Sequence, residues 1–179
     1  LIFRPLKRVV GADDVQRAVA KAIKHDITIL SMHTNMDNAQ GGVNFKMAEK
    51  MQLTGVKFFT EKQVDGITCG SGATGEQPGA MAADDFIMML KREFDVECVQ
   101  CNQLLRRPIR TVAICGGAGS FLLPEAIAAG ADAFVTGEMH YHDYFAHEQE
   151  IQIAVIGHYQ SEQYTYEIFK SIIEEQCEG

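Results

Sequence analysis

The sequence predicts an α/β protein, because short apolar runs rich in β-branched residues alternate with amphipathic helical stretches along its 179 residues. Two further observations agree. Glycine-bearing turns follow several of the predicted strands, and the polar clusters His33 to Asp37, Gly137 to His142 and His158 to Glu162 fall at strand ends. In open α/β folds, ligands collect where strands end and loops begin.

Each element has its own signature. Leu1-Ile2-Phe3-Arg4-Pro5 reads as the exit of a buried strand, and the chain as a fragment. From Asp13 the spacing turns helical: Val15, Ala18, Val19, Ala22 and Ile23 share one face, and Asp13 and Asp14 suit the positive end of a helix. Residues 26–32 predict a strand that delivers His33-Thr34-Asn35-Met36-Asp37 into a loop. Gly41-Gly42 breaks the chain before a helix over 43–53, with Val43, Met47 and Met51 on one side. Residues 56–60 predict a short strand. Five glycines between Asp65 and Gly79, together with Pro78, predict a loop and the boundary between two lobes. Helical spacing resumes over 81–94 through Phe86, Met89, Leu90 and Phe94, and residues 96–101 and 109–115 predict strands. The second of these runs into Gly116-Gly117-Ala118-Gly119-Ser120, and a helix follows to Ala129. A strand over 132–136 ends at Gly137-Glu138, and a short helix near 141–146 leads to a strand over 151–156. The last helix is expected to start with Ser161 as its N-cap and to turn Ile168, Ile172 and Ile173 inward.

Composition excludes several function classes. A formal charge of -8 repels a phosphate backbone at long range, so nucleic acid is an unlikely partner. The one basic cluster, Arg106, Arg107 and Arg110, reads as a solvated loop. No apolar stretch approaches the roughly 18 residues that a membrane span needs. Five cysteines, an odd number, do not read as a disulfide framework, which points to a reducing cytoplasm. Cys98-x-x-Cys101 has the spacing of half a zinc site, but no second pair follows, and its alternation reads as a half-buried strand.

The residues with chemical potential each admit two readings. In His158-Tyr159-Gln160-Ser161-Glu162, an i, i+4 spacing puts imidazole and carboxylate on one helix face, where both are ligands for first-row metals. The other reading is a helix start with an exposed histidine and a dipole-favoured glutamate. Asp37, on a glycine-flanked loop, is either a metal ligand or the hinge of an Asx turn. Gly116, Gly117, Gly119 and Ser120 either cradle a phosphate or form a tight, close-packed turn. This is neither a Walker loop nor a complete G-x-G-x-x-G, because Leu122 holds the last position. Glu138, His140 and His142 read as ligands or as their supports, and the i, i+2 spacing of the two histidines lets only one face a site. No Ser/His/Asp nucleophile pattern stands out.

Taken together, these stretches resemble one family. Leu1-Ile2-Phe3-Arg4-Pro5, His33-Thr34-Asn35-Met36-Asp37, Gly41-Gly42-Val43-Asn44 and Cys115-Gly116-Gly117-Ala118-Gly119-Ser120 occur in its order. So do Gly130-Ala131-Asp132-Ala133-Phe134-Val135-Thr136-Gly137-Glu138, His142-Asp143 and Gly157-His158-Tyr159-Gln160-Ser161-Glu162. The pattern resembles the Nif-three-like dinuclear metal centre family, also labelled GTP cyclohydrolase I type 2 homologues, over essentially the whole chain.

The resemblance implies two similar α/β lobes with mixed sheets flanked by helices, a two-metal site in the cleft between them, and a hexameric toroid. Under it, residues 1–60 are the remainder of an incomplete first lobe. Residues 61–108 are a linking segment with the Gly-rich loop and a helix, and 109–179 are the second α/β unit, whose last helix contributes to the metal cleft. Asp37, His158 and Glu162 match metal ligands, with Glu162 bridging two divalent ions (zinc, manganese, iron or nickel). His33, Glu138 and His142 match positions lining the cleft and, with Glu162, are the catalytic candidates. In the family a His-His-Pro stretch immediately precedes the Leu-Ile-Phe motif and completes the metal shell, and this chain begins just past it.

Two functions follow as expectations. One is a metal-dependent hydrolase of a nucleotide or other phosphorylated substrate, related to the GTP cyclohydrolase label. The other is a non-enzymatic, metal-binding regulatory or scaffold protein that acts through protein partners. Three ligands shared by two ions leave both open, so this chain is expected to hold metal weakly or incompletely. Metal analysis beside a longer chain carrying the upstream histidines checks this, and two tightly held ions per copy of the present chain would contradict it.

Overall fold

The architecture is that of a computed structural model describing Ile2 and residues 5–177. In chain order the elements are α1 (Asp14–Lys24), α2 (Thr34–Asp37), α3 (Val43–Lys50), β1 (Thr54–Val64), β2 (Ile67–Met81), α4 (Ala83–Glu93) and β3 (Gln100–Cys101). Then come β4 (Ile109–Cys115), α5 (Leu123–Ala128), β5 (Ala133–Thr136), β6 (Gln152–Val155), α6 (His158–Glu162) and α7 (Thr165–Gln176). Two short 3-10 turns, Ser120–Leu122 and Tyr141–Tyr144, complete the set. The chain divides into two units, Leu1–Asn35 and Met36–Gly179.

In the first unit, Asp13 caps α1 by accepting the Gln16 N–H at 2.8 Å, as its position before a helical run suggests. The apolar stripe that predicts this helix is largely solvent-facing, with Val15 37% and Ile23 74% exposed. Residues 27–32 form no strand, which corrects the expectation for 26–32: Ile27, Ile29 and Leu30 are exposed, and no described strand pairs with them. A β-branched run becomes a strand only where neighbours take its hydrogen bonds and cover its side chains. The strand exit expected at Leu1–Pro5 falls partly on Leu1, Phe3 and Arg4, outside the described residues.

The second unit is built on a mixed six-stranded sheet in the order β1-β2-β4-β5-β6-β3. β4, β5 and β6 run parallel, and β1, β2 and β3 are antiparallel to their neighbours. All four residues of β5 and of β6 are buried, the continuous burial of parallel strands covered on both faces. Ala113 and Cys115 of β4 point into a cluster with Leu122, Leu123, Ala126, Phe134, Ile151 and Ile153. By strand alternation Val112 and Ile114 face the other way and are fully buried too. In α4, Phe86, Met89 and Leu90 are buried, as their spacing predicts. α7 differs from expectation. Ile172 and Ile173 are 44% and 56% exposed and Ile168 is half-buried, so the apolar residues of this helix are not turned into a core.

The glycine-rich stretch is also corrected, since residues 67–81 are the long strand β2 rather than a loop. Glycine is poor in strands unless another chain segment comes close, and here one does. A Cβ on Gly70 would sit 2.9 Å from Phe58 Cβ, and one on Gly75 would sit 3.0 Å from Leu53 Cβ. Gly72 has φ +63°, and a Cβ there would meet the Phe59 ring and lie 2.8 Å from the Ile114 carbonyl oxygen. Residues 96–101 give only the two-residue β3, paired with Val155 and Ala154 at the sheet edge.

Gly72→Ala is therefore expected to destabilise the protein by about 1–3 kcal/mol, the usual cost of forcing a side chain into such backbone. Urea unfolding monitored by circular dichroism measures the loss, and an unchanged midpoint would contradict the close approach of β1, β2 and β4.

Candidate metal centre

The three parallel strands all deliver loops to one end of the sheet. β4 runs into Gly116–Ser120, β5 into Gly137–His140, and β6 into Gly157 and α6. The predicted residues of the second unit gather there.

α6 begins at His158, three residues before the expected start, so Ser161 is not an N-cap but lies inside this helix. Its buried hydroxyl donates to the His158 carbonyl at 2.7 Å and accepts the Gly117 N–H at 2.9 Å. The register puts His158 and Glu162 on one helix face, with Nε2 3.5 Å from Glu162 Oε2. On the ring's other side Nδ1 is 2.7 Å from Glu138 Oε1. An ionised carboxylate only accepts, so this contact keeps a proton on Nδ1. In the neutral ring Nε2 then carries a lone pair, turned toward a carboxylate oxygen. Two acceptors facing each other call for a cation, and a histidine steadied by a carboxylate behind it is the usual presentation of a metal-binding imidazole.

The Gly116–Gly119 turn holds this arrangement in place. Gly116 N–H donates to Asn44 Oδ1 at 2.9 Å, Gly117 N–H to Ser161 Oγ, and Gly119 N–H to Thr136 Oγ1 at 3.1 Å. The Gly117 carbonyl accepts from the Gly137 and Glu138 amides at 3.0 and 2.9 Å and from the Thr136 hydroxyl at 3.2 Å. Gly117, with φ +65°, packs directly on the pair: a Cβ there would overlap Glu162 Oε1 and lie 3.3 Å from His158 Nε2. Of the two readings of this turn, the close-packed one accounts for what these amides do. The three glycine N–H groups that an anion would use already have protein acceptors.

Asp37 reaches the same neighbourhood from α2. Fully buried Asn44 donates to the Asp37 carbonyl at 2.9 Å while accepting from Gly116, so one side chain ties the Asp37 segment to the turn. The Cys115 thiol senses the result. Burial first, then the negative charges of Asp37 and Glu162, push it up to about 12. Asp37 and Glu162 thus both act on one buried atom at the end of β4. Among the described residues, no three His, Cys, Asp or Glu side chains form a group that could hold one ion, and His158 stands between Glu162 on one side and Glu138 on the other. The donor set, one imidazole nitrogen with carboxylates, suits a divalent first-row ion.

The other candidates are placed as follows. His142 is exposed on the 3-10 turn Tyr141–Tyr144, its ring edge-on to Tyr141 at 5.3 Å. His33 belongs to the first unit, where its N–H donates to Asn35 Oδ1 and its ring contacts the Thr34 hydroxyl. Ser120 lines a cavity beside Glu138. Arg107 pairs with Asp132 and Arg110 with Glu76, so two of the three clustered arginines tie the start of β4 to its neighbours β2 and β5. Cys98 and Cys101 are exposed free thiols. Sequence reasoning missed Asn44, Thr136 and Ser161 as supports; a buried polar residue next to a glycine turn is the signal that marks them.

Two outcomes are expected. Asn44→Ala leaves the Gly116 N–H and Asp37 carbonyl without their partner, costing about 1–3 kcal/mol for each group left buried; thermal unfolding measures it, and a loss below ~0.5 kcal/mol would contradict the bridge. For Cys115, a raised folded pKa means the unfolded chain loses its proton first. Its contribution is complete below the ordinary thiol value of 9.0 and is lost as pH rises toward about 12. Cys115→Ala should flatten that alkaline loss in unfolding curves between these limits.

Comparison with known proteins agrees with the architecture. Residues 1–179 match the profile of the family described as Duf34/NIF3 (NGG1p interacting factor 3). A Streptococcus pneumoniae protein named GTP cyclohydrolase 1 type 2 homolog is 33% identical over 146 residues, which is 79% of this chain and 53% of that protein. A Clostridium perfringens protein of the same name is 30% identical over 165 residues, 90% of this chain and 62% of its own length. The chain thus spans less than two thirds of these relatives. The crystal structure of the Staphylococcus aureus hypothetical protein SA1388 superposes with a TM-score of 0.83 at 25% identity, covering 97% of this chain and 69% of that one. A Bacillus cereus protein related to NIF3 shares the fold, with a TM-score of 0.78 at 21% identity and coverage of 98% and 76%. The fold, the order of motifs and the match along the full chain agree: this chain belongs to the DUF34/NIF3 family.

Proposed function

We propose that this chain carries part of a dinuclear metal centre that hydrolyses a nucleotide or other phosphorylated substrate. The observation that carries the reading is His158, whose Nδ1 is held by Glu138 at 2.7 Å and whose Nε2 faces Glu162 at 3.5 Å. In this reading His158, Asp37 and Glu162 are the residues that would hold the ions. Two divalent ions so held would supply an activated water and stabilise charge on the reacting group.

The remaining chemistry belongs to the chain. Glu138 keeps the imidazole in the tautomer that presents Nε2 outward. Because its carboxylate also lines the neighbouring cavity, it is the group placed to accept and return a proton at bound substrate. Ser161 and the glycine turn fix the helix that carries His158 and Glu162, so the donors need not reorganise on binding. The relatives' name, GTP cyclohydrolase 1 type 2 homolog, is consistent with a nucleotide substrate.

The second reading, a metal-binding scaffold, is favoured by the exposed apolar side chains Tyr166, Ile172 and Ile173 on α7, a face suited to a protein partner or to the family's expected hexameric ring. Turnover separates the two. The metal-loaded longer chain that carries the upstream histidines is expected to hydrolyse at least one member of a panel of nucleotides and phosphoesters, Glu162→Ala to abolish it, and Glu138→Gln to slow it about 10- to 100-fold. Metal occupancy without turnover across the panel would overturn the hydrolase and favour the scaffold.

A further inference from the structure

A cavity of about 500 Å³ opens beyond the carboxyl ends of β5 and β6 and shares Glu138 with the candidate metal centre. Its volume falls in the range of small-molecule sites. The lining is unusual for a site expected to meet phosphate. Among the described residues it holds no lysine or arginine, and its one carboxylate is Glu138. Of the glycines in its lining, Gly137 donates its amide to the Gly117 carbonyl. A phosphate placed here would face the Glu138 carboxylate with no lysine or arginine beside it, His140 being the one basic side chain of the lining.

The other polar groups of the lining are directional. Beside His140, Gln100 and Gln160 each carry an amide and Ser120 a hydroxyl, the Gln100 oxygen already accepting from the Tyr144 hydroxyl at 3.3 Å. Met139, Val155 and Ile156 supply apolar surface for a flat ring. The Glu138 carboxylate accepts only, so the ligand edge that meets it must present N–H donors.

We propose that this cavity binds a neutral nitrogen heterocycle, its N–H edge on Glu138 and its face on Met139, Val155 and Ile156, with any phosphate of the same molecule outside. This rests on the reading of the site as nucleotide-directed and names which end of the substrate enters the cavity.

Metal-free protein is titrated with guanosine and isocytosine, which carry adjacent N–H donors, with 1-methylguanosine, which lacks one of them, and with inorganic phosphate and ribose 5-phosphate. Calorimetry gives affinities, and NMR follows the side-chain amides of Gln100 and Gln160. The expected result is that guanosine and isocytosine shift both amides, that 1-methylguanosine binds at least tenfold more weakly, and that Glu138→Gln and Gln160→Leu each weaken guanosine at least tenfold. The proposal is overturned if neither heterocycle shifts the amides, if phosphate or ribose 5-phosphate displaces guanosine, or if both variants bind it unchanged. Binding is read without metal or turnover, so the two claims fail separately. Heterocycle binding by a metal-loaded protein that turns nothing over sinks the hydrolase alone, and hydrolysis with ribose 5-phosphate seated in the cavity sinks this inference alone.

Discussion

The site depends on one short piece of backbone, the Gly116–Gly119 turn at the end of β4. Its amides are held by three side chains from three elements, Asn44 of α3, Thr136 of β5 and Ser161 of α6. Its Gly117 carbonyl gathers the Gly137 and Glu138 amides. Asn44 reaches on to Asp37, and the surface of Gly117 lies against Glu162 and His158. Asp37, Glu138, His158 and Glu162 are thus each tied to or packed against the same turn, whereas His142 lies apart from it. Buried polar groups of this kind are costly if unmatched, which gives the arrangement its rigidity and leaves no room for a side chain at Gly117.

Charge is the second constraint. Asp37, Glu138 and Glu162 bring negative charge to one end of the sheet, where the Cys115 thiol is pushed up first by its own burial and then by Asp37 and Glu162. Carboxylates grouped in this way favour a cation over an anion in their midst. Behind them, Glu167 of α7 is ion-paired with Lys46 and Lys50 of α3, and the Lys50 ammonium sits 3.7 Å from the Tyr164 ring centroid. These contacts brace α7, and so the adjoining α6, against the helix that carries Asn44.

Much of this was legible in the sequence. The continuous apolar runs that became β4, β5 and β6 and the glycine turns after them announce an α/β sheet with its chemistry at one end. The i, i+4 pair His158 and Glu162 was readable because helical spacing alone puts them on one face. What escaped was decided by distant partners. β2 looks like a loop because glycine disfavours strands, yet its glycines mark where β1 and the Leu53–Thr54 segment press close. Residues 27–32 look like a strand, yet their apolar side chains stay exposed without a described partner strand. Ser161 looks like a helix cap, and only the neighbouring turn reveals it as the acceptor for Gly117. Local preference carries no information about such encounters.

The most direct test of the central proposal, that His158 presents Nε2 toward a cation held with Glu162, is 15N NMR of the histidine side chains during zinc titration. The account predicts that His158 starts with its proton on Nδ1 and that zinc shifts its Nε2 resonance at lower concentration than any other histidine's. Zinc that leaves the His158 resonances in place while shifting others, or a His158 protonated on Nε2 alone, would contradict it.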